Sequence, residues 1–493
     1  MKVSILTASG EHQFETKSHS LLELLAENGI FINAYCGGRG LCRKCLVRYR
    51  KNPPTPTPLE KESIDSDRLQ KGYRLACLHR LRENDAIEVF ETAPAFAEDH
   101  IESLPSGKAN RVALDIGTTT IVATLVDRSG RLLTLRSINP QVSFGADVIS
   151  RISLYPEKPA IRRVLVNRIE SMLDDLKMKA ETKDVELLVV AANPTMLSFF
   201  LGVDPAPIGR YPYTVPFKSP MTTVFHNIKT YIPPVISAYV GSDIVCALAS
   251  IAEKTKENFL LVDIGTNCEF LLKSTKGIFS ASVPGGPALE GSGVDFGMMA
   301  TEGAIESVEF DGTLKIKTIG AAPPVGISGT GLISAIALLR RYGLIDKSGR
   351  LLDPWEAEEA PLQLISRLDK KGFNLTGNIR ITQRTISQFQ LLRAALSAGI
   401  ELLLTKTGFD MPEKVYVAGG FANALKKEIL LDSGLLELEV DYEFIGNAAI
   451  KGALLLTEEG KRKHMEDLAK EIKYIEIANE PSFEELFTQR MSF

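Results

Sequence analysis

Alternation of apolar and polar residues marks a small α+β unit at the start of the chain. The segments KVSILT (2–7) and HQFETK (12–17) alternate on either side of a glycine and predict a β-hairpin. SLLELLAENG (20–29) is amphipathic and ends on a glycine, which predicts a helix with its carboxyl end there. DAIEVFE (85–91) alternates again and predicts a half-buried strand.

A second pattern, an apolar strand, Asp-Ile-Gly-Thr and another apolar strand, occurs twice further along. RVALDIGTTTIVATLVD (111–127) and NFLLVDIGTNCEFLLK (258–273) each predict a hairpin whose turn is DIGT. Glycine at the tip exposes backbone N–H groups, and the adjacent side chains can donate to phosphate oxygens. Two such hairpins facing each other predict a triphosphate site. The residues assigned to it are Gly117, Thr118, Thr119, Thr120, Gly265, Thr266 and Asn267.

Carboxylates accompany these hairpins. Asp115 and Asp263 end the first strand of each hairpin and are predicted to hold Mg²⁺ through water and to position it for catalysis. Asp243 and Glu290 are left open between a catalytic base, a helix N-cap and the surroundings of Mg²⁺.

A third segment, KVYVAGGFANAL (414–425), predicts a buried strand, a Gly-Gly turn and the start of a helix. Its glycines permit a flat adenine or ribose to approach the backbone closely. The residues assigned to this contact are Gly419, Gly420 and Asn423.

The six cysteines fall into two groups. Cys246 and Cys268 lie alone in apolar segments, where we expect buried small hydrophobic side chains. The other four are spaced C-x5-C-x2-C, with the last one 31 residues further on. Clustered cysteines in a reducing compartment favour metal binding over disulfides. The predicted ligands are Cys36, Cys42, Cys45 and Cys77.

The spacing favours a [2Fe–2S] cluster over the alternatives, zinc or no metal. Zinc sites usually pair two C-x2-C turns, whereas three ligands in one loop and one distant ligand suit a two-iron cluster. Glycines in YCGGRGLCRKC (35–45) let the backbone turn tightly and aim N–H groups at sulfur. Arg39, Arg43 and Lys44 place positive charge beside an anionic cluster, or simply form a solvated face.

Composition excludes two classes of partner. The 493 residues are 44% hydrophobic and 24% charged with a net charge of −4, so no basic excess points to nucleic acid. The first residues turn polar too soon for a signal peptide, and the longest apolar stretch (187–203) is interrupted by Asn193 and Pro194. We expect a soluble cytoplasmic protein with no membrane contact.

These motifs resemble two known folds. Residues 1–95 resemble a ferredoxin-type β-grasp domain, with the five-residue cysteine spacing of its adrenodoxin-like members. The DIGT hairpins and the Gly-Gly turn resemble the actin, hexokinase and Hsp70 superfamily of ATPases (ASKHA) over residues 109–456. That resemblance implies an α/β unit of two lobes, each around a five-stranded mixed sheet, with ATP and Mg²⁺ between them. Two small-residue helices (326–339 and 445–456) are expected at the lobe junction, as core helices or as nucleotide contacts.

The expected domain organisation follows from these resemblances. Residues 1–95 form the [2Fe–2S] domain, 96–108 a linker and 109–493 the ATPase domain. Within the ATPase domain, lobe I spans about 109–245 plus a carboxyl-terminal return, and lobe II spans about 246–445. Residues 51–72 are of low hydrophobicity and are expected to form a surface excursion before the fourth cysteine.

Nearly the whole chain resembles one family, the reductive activators of corrinoid proteins (RACE proteins). The segments that carry this resemblance are NPQVSFGADVISRI (139–152), ANPTMLSFFLG (192–202), PPVISAYVGSDI (233–244), ITQRTISQFQLLRAA (381–395) and IEIANEPSFEELFTQRMSF (475–493). The family implies ATP-dependent transfer of one electron from the cluster to the Co(II) corrinoid of a methyltransferase system, which restores Co(I). It also implies a corrinoid protein as partner and an upstream low-potential electron donor, and it leaves a homodimer open.

Two departures and three alternatives accompany the resemblance. Longer members of the family carry an extra domain after the iron–sulfur domain, whereas here about 20 residues join that domain to the ATPase domain. Another branch of the family holds a carboxyl-terminal [4Fe–4S] cluster, and that branch is excluded because no cysteine follows Cys268. The alternatives are an ATP-gated electron donor to a different low-potential enzyme, a non-enzymatic module that responds to redox state and ATP, and a carbohydrate kinase.

Overall fold

A computed structural model describes the chain apart from residues 33, 35, 91–109, 131, 183, 253–257, 410 and 421–424. The expected linker, 96–108, lies outside the described residues. Three large sheets organise the rest, one before the linker and two after it. No helix in the described ranges is long and apolar enough to cross a membrane.

The first sheet confirms the predicted α+β unit. Its five strands are β1 (Lys2–Thr7), β2 (Gly10–Glu15), β3 (Leu46–Tyr49), β4 (Tyr73–Leu75) and β5 (Ala86–Val89), and they lie in the order β2-β1-β5-β3-β4. Helix α1 (Leu21–Glu27) packs its leucines on this sheet, and Gly29 follows it with a φ of +70°. The hairpin, the helix and the half-buried strand therefore lie where the apolar pattern predicted them.

The excursion at 51–72 contains two short helices, α2 (Pro58–Ser63) and α3 (Ser66–Gln70). The side chain of Thr57 accepts from the backbone N–H of Glu60, whose carboxylate accepts in return from the N–H of Thr57, so a capping box starts α2. The carboxylate of Glu60 is fully buried and also accepts from the N–H of Leu75 at 2.7 Å and from His79 Nε2 at 2.9 Å. This carboxylate fixes the excursion to the segment that carries Cys77.

The second sheet forms lobe I and has six strands, where five were expected. They are β6 (Asn110–Ile116), β7 (Thr120–Val126), β8 (Leu132–Ile138), β9 (Val185–Ala192), β10 (Met221–Phe225) and β11 (Ile228–Ile232), in the order β10-β11-β9-β6-β7-β8. The extra strand is β10, because a tight turn lets it pair antiparallel with β11. The helices of this part are α4 (Val148–Leu154), α5 (Ala160–Lys179), α6 (Pro194–Leu201) and α7 (Ser242–Ile251).

The third sheet forms lobe II and again has six strands. They are β12 (Phe259–Ile264), β13 (Asn267–Ser274), β14 (Gly277–Pro284), β21 (Lys414–Ala418), β22 (Asp441–Gly446) and β23 (Ile472–Tyr474), in the order β22-β21-β12-β13-β14-β23. The sixth strand is supplied by the carboxyl-terminal part of the chain, since β23 pairs parallel with β14.

Smaller elements extend lobe II. Two three-stranded sheets contain β15 (Ala304–Phe310), β16 (Leu314–Thr318) and β17 (Gly326–Ile327), and β18 (Leu368–Asp369), β19 (Gly372–Thr376) and β20 (Ile379–Ile381). The remaining helices are α8 (Gly329–Arg341), α9 (Leu362–Ile365), α10 (Gln383–Thr407), α11 (Lys427–Ser433), α12 (Ala448–Leu455), α13 (Glu459–Glu471) and α14 (Pro481–Gln489). Short 3-10 helices occupy Ala76–Leu78, Pro140–Phe144, Ala206–Gly209 and Ile319–Ala321.

Helices α7 and α12 join the two lobes. They belong to one hydrophobic core that also contains residues of β6 and β12, so this core lies between the two six-stranded sheets. A Cβ added at Gly452 of α12 would lie 1.7 Å from the carbonyl oxygen of Cys246 on α7, so the two backbones touch directly. Cys246 and Cys268 are both fully buried, as the apolar pattern predicted.

Candidate functional site

The four clustered cysteines lie close together at one end of the first sheet. Cys36, Cys42 and Cys45 belong to the segment 36–45, which we call the cluster loop, and Cys77 lies in the 3-10 helix after β4. Within the loop, three glycines adopt positive φ angles of 63°, 84° and 76°, which L side chains rarely adopt; they are Gly37, Gly38 and Gly40. The glycines therefore let the loop turn tightly around the thiols.

The thiols contact one another in two pairs. A hydrogen bond from Cys42 is the main cause that lowers the pKa of Cys36 to about 5, and the same bond raises the pKa of Cys42. Likewise, the bond between Cys45 and Cys77 lowers the pKa of Cys77 and raises that of Cys45. Across the described residues, no three Cys, His, Asp or Glu side chains converge on a single ion position. Two pairs suit a cluster in which each of two irons takes two thiolates.

Both DIGT segments form the predicted hairpins. In the first, the N–H of Gly117 donates to the carbonyl of Thr120 at 2.9 Å, and in the second the N–H of Gly265 donates to that of Asn267 at 3.1 Å. A Cβ at Gly117 would lie 2.8 Å from the Thr120 oxygen, so this turn requires glycine. Residues 117–120 and 265–267 are all partly exposed. The N–H groups of Gly117 and Gly265 close the turns, so a ligand would meet the partly exposed side chains of the residues that follow each glycine.

Half-buried carboxylates gather behind these turns, together with the buried Glu269. Burial is the main cause that raises the pKa values of Asp115 and Asp263 to about 7, and the negative charge of Asp243 raises both further. Burial also raises the pKa of Asp243 to about 6 and that of Glu269 well above its usual value. Carboxylates that repel one another in a cleft are stabilised by a divalent cation, so this arrangement suits Mg²⁺.

The structure excludes one of the roles considered for Asp243 and Glu290, that of a helix N-cap. Asp243 is the second residue of α7, whose N-cap is Gly241, and its Oδ1 accepts from the N–H of Ile244 at 2.9 Å. Glu290 follows β14 in a loop; its Oε1 accepts from the Thr266 hydroxyl at 3.0 Å, and its buried Oε2 has no partner in the described residues. Neither residue is a helix N-cap. Glu290 contacts the second phosphate hairpin directly.

Three site residues were not predicted from the sequence. Arg151 is fully buried and donates from Nη2 to the carbonyl of Thr118 at 2.6 Å, and burial lowers its pKa to about 9. Asn193 donates to the Thr118 hydroxyl at 3.2 Å, and Asn447 donates to Asp115 Oδ2 at 2.6 Å. Both asparagines are N-caps, of α6 and α12. The two asparagines could have been found in the sequence, because each directly precedes a segment with a helical pattern. Arg151 has no comparable sequence signal.

The predicted adenosine segment is described in part. Gly419 follows β21 with a φ of 116°, and its N–H donates to the carbonyl of Gly446 at 3.2 Å. Gly420 is exposed, and a Cβ there would meet no atom of the described residues within 4 Å. Asn423 and the expected start of a helix lie outside the described residues.

Three family models match the chain in succession. A model described as a 2Fe-2S iron-sulfur cluster binding domain matches residues 6–82. One described as the RACo middle region matches 111–254, and one described as the C-terminal domain of RACo, the ASKHA domain, matches 257–493. The matches cover the four thiols and both DIGT hairpins.

Characterised relatives and a solved structure agree with these matches. The corrinoid activation enzyme RamQ of Eubacterium limosum is 28% identical over 581 residues, covering 98% of both chains. The [Co(II) methylated amine-specific corrinoid protein] reductase of Methanosarcina barkeri is 26% identical over 364 residues, covering 62% of both chains. A solved structure described as a reductive activator for corrinoid,iron-sulfur protein has 26% identity and a TM-score of 0.66, and covers 100% of this chain and 98% of that one.

The fold and the site define the class of protein: an iron–sulfur domain joined to an ASKHA domain. Within this class, the chain belongs to the family of reductive activators of corrinoid proteins. The family's middle region is present here as lobe I. The extra domain expected to be missing would fall at 91–109, outside the described residues, so its absence stays a prediction.

Proposed function

We propose that this protein is an ATP-dependent reductive activator of a corrinoid protein. It passes one electron to the Co(II) corrinoid of a methyltransferase system and restores Co(I). The observation that carries this function is the presence, in one chain of this family, of two thiol pairs and a two-sided cleft lined by half-buried carboxylates.

Each half of the chain has its own part in the proposal. A [2Fe–2S] cluster held by Cys36, Cys42, Cys45 and Cys77 supplies the electron. Because each transfer removes one electron, an upstream low-potential donor must supply the next. We assign this donor and the corrinoid protein as the two partners, and we place the activity in the reducing cytoplasm, where free thiols persist. We treat residues 1–95 and 109–493 as the two domains.

The cleft residues would bind and orient the nucleotide. The glycines of the two turns would let phosphate oxygens approach the backbone closely, and polar groups of the residues after them would donate to those oxygens; the residues assigned are Gly117, Thr118, Thr119, Thr120, Gly265, Thr266 and Asn267. Gly419, Gly420 and Asn423 admit the adenosine. Asp115 and Asp263 would hold Mg²⁺ through water, and the charge of a bound cation would favour their ionised forms, with the released protons passing to solvent, because it offsets the unfavourable ionisation of carboxyls in this cleft. A ligand that prefers one lobe separation shifts the protein toward that separation.

The test begins with anaerobic purification and spectroscopy. Visible absorption and EPR spectra of the reduced protein identify the cluster, and Cys77→Ser should lose the two-iron signal, whereas the matched control Cys246→Ala should retain it. Reduction of a Co(II) corrinoid protein is then followed by absorbance with and without ATP and Mg²⁺. We expect reduction that requires both. Equal rate and extent without nucleotide would refute the proposal.

The same assay separates the alternatives. Rapid ATP-dependent oxidation of the cluster by another low-potential enzyme, with none by corrinoid proteins, would indicate a different electron acceptor. A negligible rate of ATP hydrolysis with and without corrinoid partners would indicate a binding module.

A further inference from the structure

The iron–sulfur domain contacts lobe I at several points. Ion pairs join Glu23 of α1 to Lys158 at 3.8 Å and Glu27 of α1 to Arg163 of α5. In the cluster loop, Arg39 Nη2 donates to the Ser150 hydroxyl of α4 at 3.0 Å. A Cβ at Gly37 would lie 2.3 Å from the carbonyl oxygen of Phe144, so the two backbones touch. These contacts fix the domain to lobe I.

A single lysine of the cluster loop reaches lobe II. Lys44 Nζ donates to the carbonyls of Gly291 at 2.9 Å and Gly297 at 2.7 Å, with that of Val294 at 3.5 Å. These carbonyls belong to residues 285–297, which we call the glycine loop. Gly291 has a φ of +81°, and a Cβ there would lie 2.4 Å from the N of Met298, so the loop closes on itself around the ammonium. Burial lowers the pKa of Lys44, which reflects the loss of water around its charge.

The glycine loop is also part of the nucleotide cleft. Glu290, the residue before Gly291, accepts from the hydroxyl of Thr266 in the second phosphate hairpin at 3.0 Å. The N–H groups of Gly285 and Gly286 donate to the Thr266 carbonyl at 3.1 and 2.9 Å. A displacement of the second hairpin is therefore transmitted to the carbonyls that hold Lys44.

The contact with lobe II covers part of the thiol site. Cys42 packs against a buried apolar group that contains Phe31 of the first domain, Ile138 and Val142 of lobe I, and Met299 of lobe II. While Lys44 is seated, this group shields one side of the thiol site. Separation of lobe II from the loop would expose Cys42 and its surroundings.

We propose that Lys44 is a positioning residue that latches the cluster loop to the glycine loop of lobe II, and that nucleotide bound between the hairpins opens this latch by changing the lobe separation. The inference rests on the proposed function, since it requires nucleotide in the cleft. We expect the domain to move with lobe I because its two ion pairs, the Arg39–Ser150 hydrogen bond and the backbone contact at Gly37 all lie there, whereas Lys44 and the apolar contact with Met299 lie on lobe II. The cluster loop contacts both lobes, and it can keep both sets of contacts at only one lobe separation. A ligand that binds more tightly at another separation therefore breaks the hydrogen bonds of Lys44.

Hydrogen–deuterium exchange on the full-length protein with its cluster tests the latch. The anaerobic protein is compared with and without ATP·Mg²⁺ and a non-hydrolysable analogue, in peptides that cover residues 36–45 and 285–297. We expect nucleotide to speed exchange in both loops of the wild-type protein. Lys44→Met should speed it by at least about tenfold without nucleotide, because each charge-assisted hydrogen bond lost is worth about that factor or more, and it should remove the response to nucleotide.

Matched variants separate the latch from charge and from general loosening. Arg43→Met removes a positive charge from the same loop at an exposed residue that makes no hydrogen bond or ion pair to the described residues, and it should behave as wild type. Arg39→Met removes a contact with lobe I and should keep the nucleotide response. Lys44→Gln, which keeps a donor, should be intermediate. The EPR signal of the reduced cluster should shift with nucleotide in wild type and Arg43→Met but not in Lys44→Met.

The outcomes distinguish the latch from the proposed function. An unchanged nucleotide response in Lys44→Met, or no response in a wild-type protein that binds ATP by calorimetry, overturns the latch and leaves the proposed function standing. A latch that responds as expected in a protein that reduces no Co(II) corrinoid supports the inference and removes the proposed acceptor. Failure of ATP to bind at all removes both.

Discussion

Replacing Asp263 by asparagine removes one of the half-buried carboxylates of the cleft. Burial, together with the charge of Asp243, raises the pKa of Asp263 from 3.8 to about 7. A carboxyl whose pKa is higher in the folded than in the unfolded chain holds its proton more tightly when folded. Its contribution to stability is therefore greatest at low pH and is lost as the pH rises through the folded pKa, from about 4 to about 7.

The magnitude follows from the size of the shift. About three pKa units correspond to about 4 kcal/mol of unfavourable ionisation at about 1.36 kcal/mol per unit. Raising the pH from about 5.5 to about 7 covers roughly 1.5 pH units below the folded pKa of Asp263. Over this interval the free energy of unfolding of the wild type should fall by about 2 kcal/mol through this carboxyl, and that of Asp263→Asn should not. The difference in free energy of unfolding between variant and wild type should grow by that amount and then stay constant above about pH 8.

Urea unfolding followed by far-UV circular dichroism, in buffers free of Mg²⁺, measures this difference. Asp311→Asn is the matched control: Asp311 is exposed and its pKa is lowered by Lys315, so it titrates below this range and its effect should not change with pH. A difference for Asp263→Asn that is the same at both ends of the range would refute the reasoning. Mg²⁺ with ATP should recover stability in the wild type and not in the variant.

Three further predictions concern the thiol site, the lobe junction and the cleft. Cys77→Ser should abolish the visible absorption of the anaerobically purified protein, while Cys246→Ala should leave it unchanged. Gly452→Ala should lower the midpoint of thermal unfolding, because the added Cβ would meet the backbone of Cys246. The control Gly460→Ala, on α13, places its Cβ where no described atom lies within 4 Å and should raise the free energy of unfolding by about 0.5–1 kcal/mol. Asn447→Ala removes a hydrogen bond that lowers the pKa of Asp115, so Mg·ATP binding measured by calorimetry should weaken by about tenfold at pH 7 and by less at higher pH. The control Asn374→Ala, on the β19 hairpin, should leave Mg·ATP binding unchanged.

Local patterns account for what the sequence predicted correctly. Each DIGT hairpin joins two apolar strands through a short turn with glycine at its tip, so all the information lies within about 16 residues. The grouping of the four thiols was likewise visible, because three of them share one glycine-rich loop; their role as cluster ligands stays a prediction. At 51–72, low hydrophobicity suggested an irregular excursion, yet the Thr57–Glu60 capping box that starts a helix was present in the sequence.

Contacts between distant residues account for what the sequence did not predict. The sixth strand of lobe II pairs Ile472 with Ile278, and Asn447 bonds Asp115 across 332 positions, so neither has a local signature. Arg151 resembles an ordinary charged residue of an amphipathic helix, although it is fully buried beneath the first phosphate turn. Lys44, predicted as charge beside a cluster or as a solvated face, is instead held by carbonyls about 250 residues away.

The cost of ionising a carboxyl in the nucleotide cleft and the strength of the Lys44 hydrogen bonds are of comparable size. Ionising one cleft carboxyl costs about 4 kcal/mol without a cation. A hydrogen bond from a charged donor such as Lys44 contributes about 1.5–3 kcal/mol. Mg·ATP would therefore open the latch before any bond of ATP breaks only if it binds the open lobe separation more tightly by more than the sum of the Lys44 hydrogen bonds. We expect hydrolysis to restore the first lobe separation, so a non-hydrolysable analogue should open the latch once and support no second cycle.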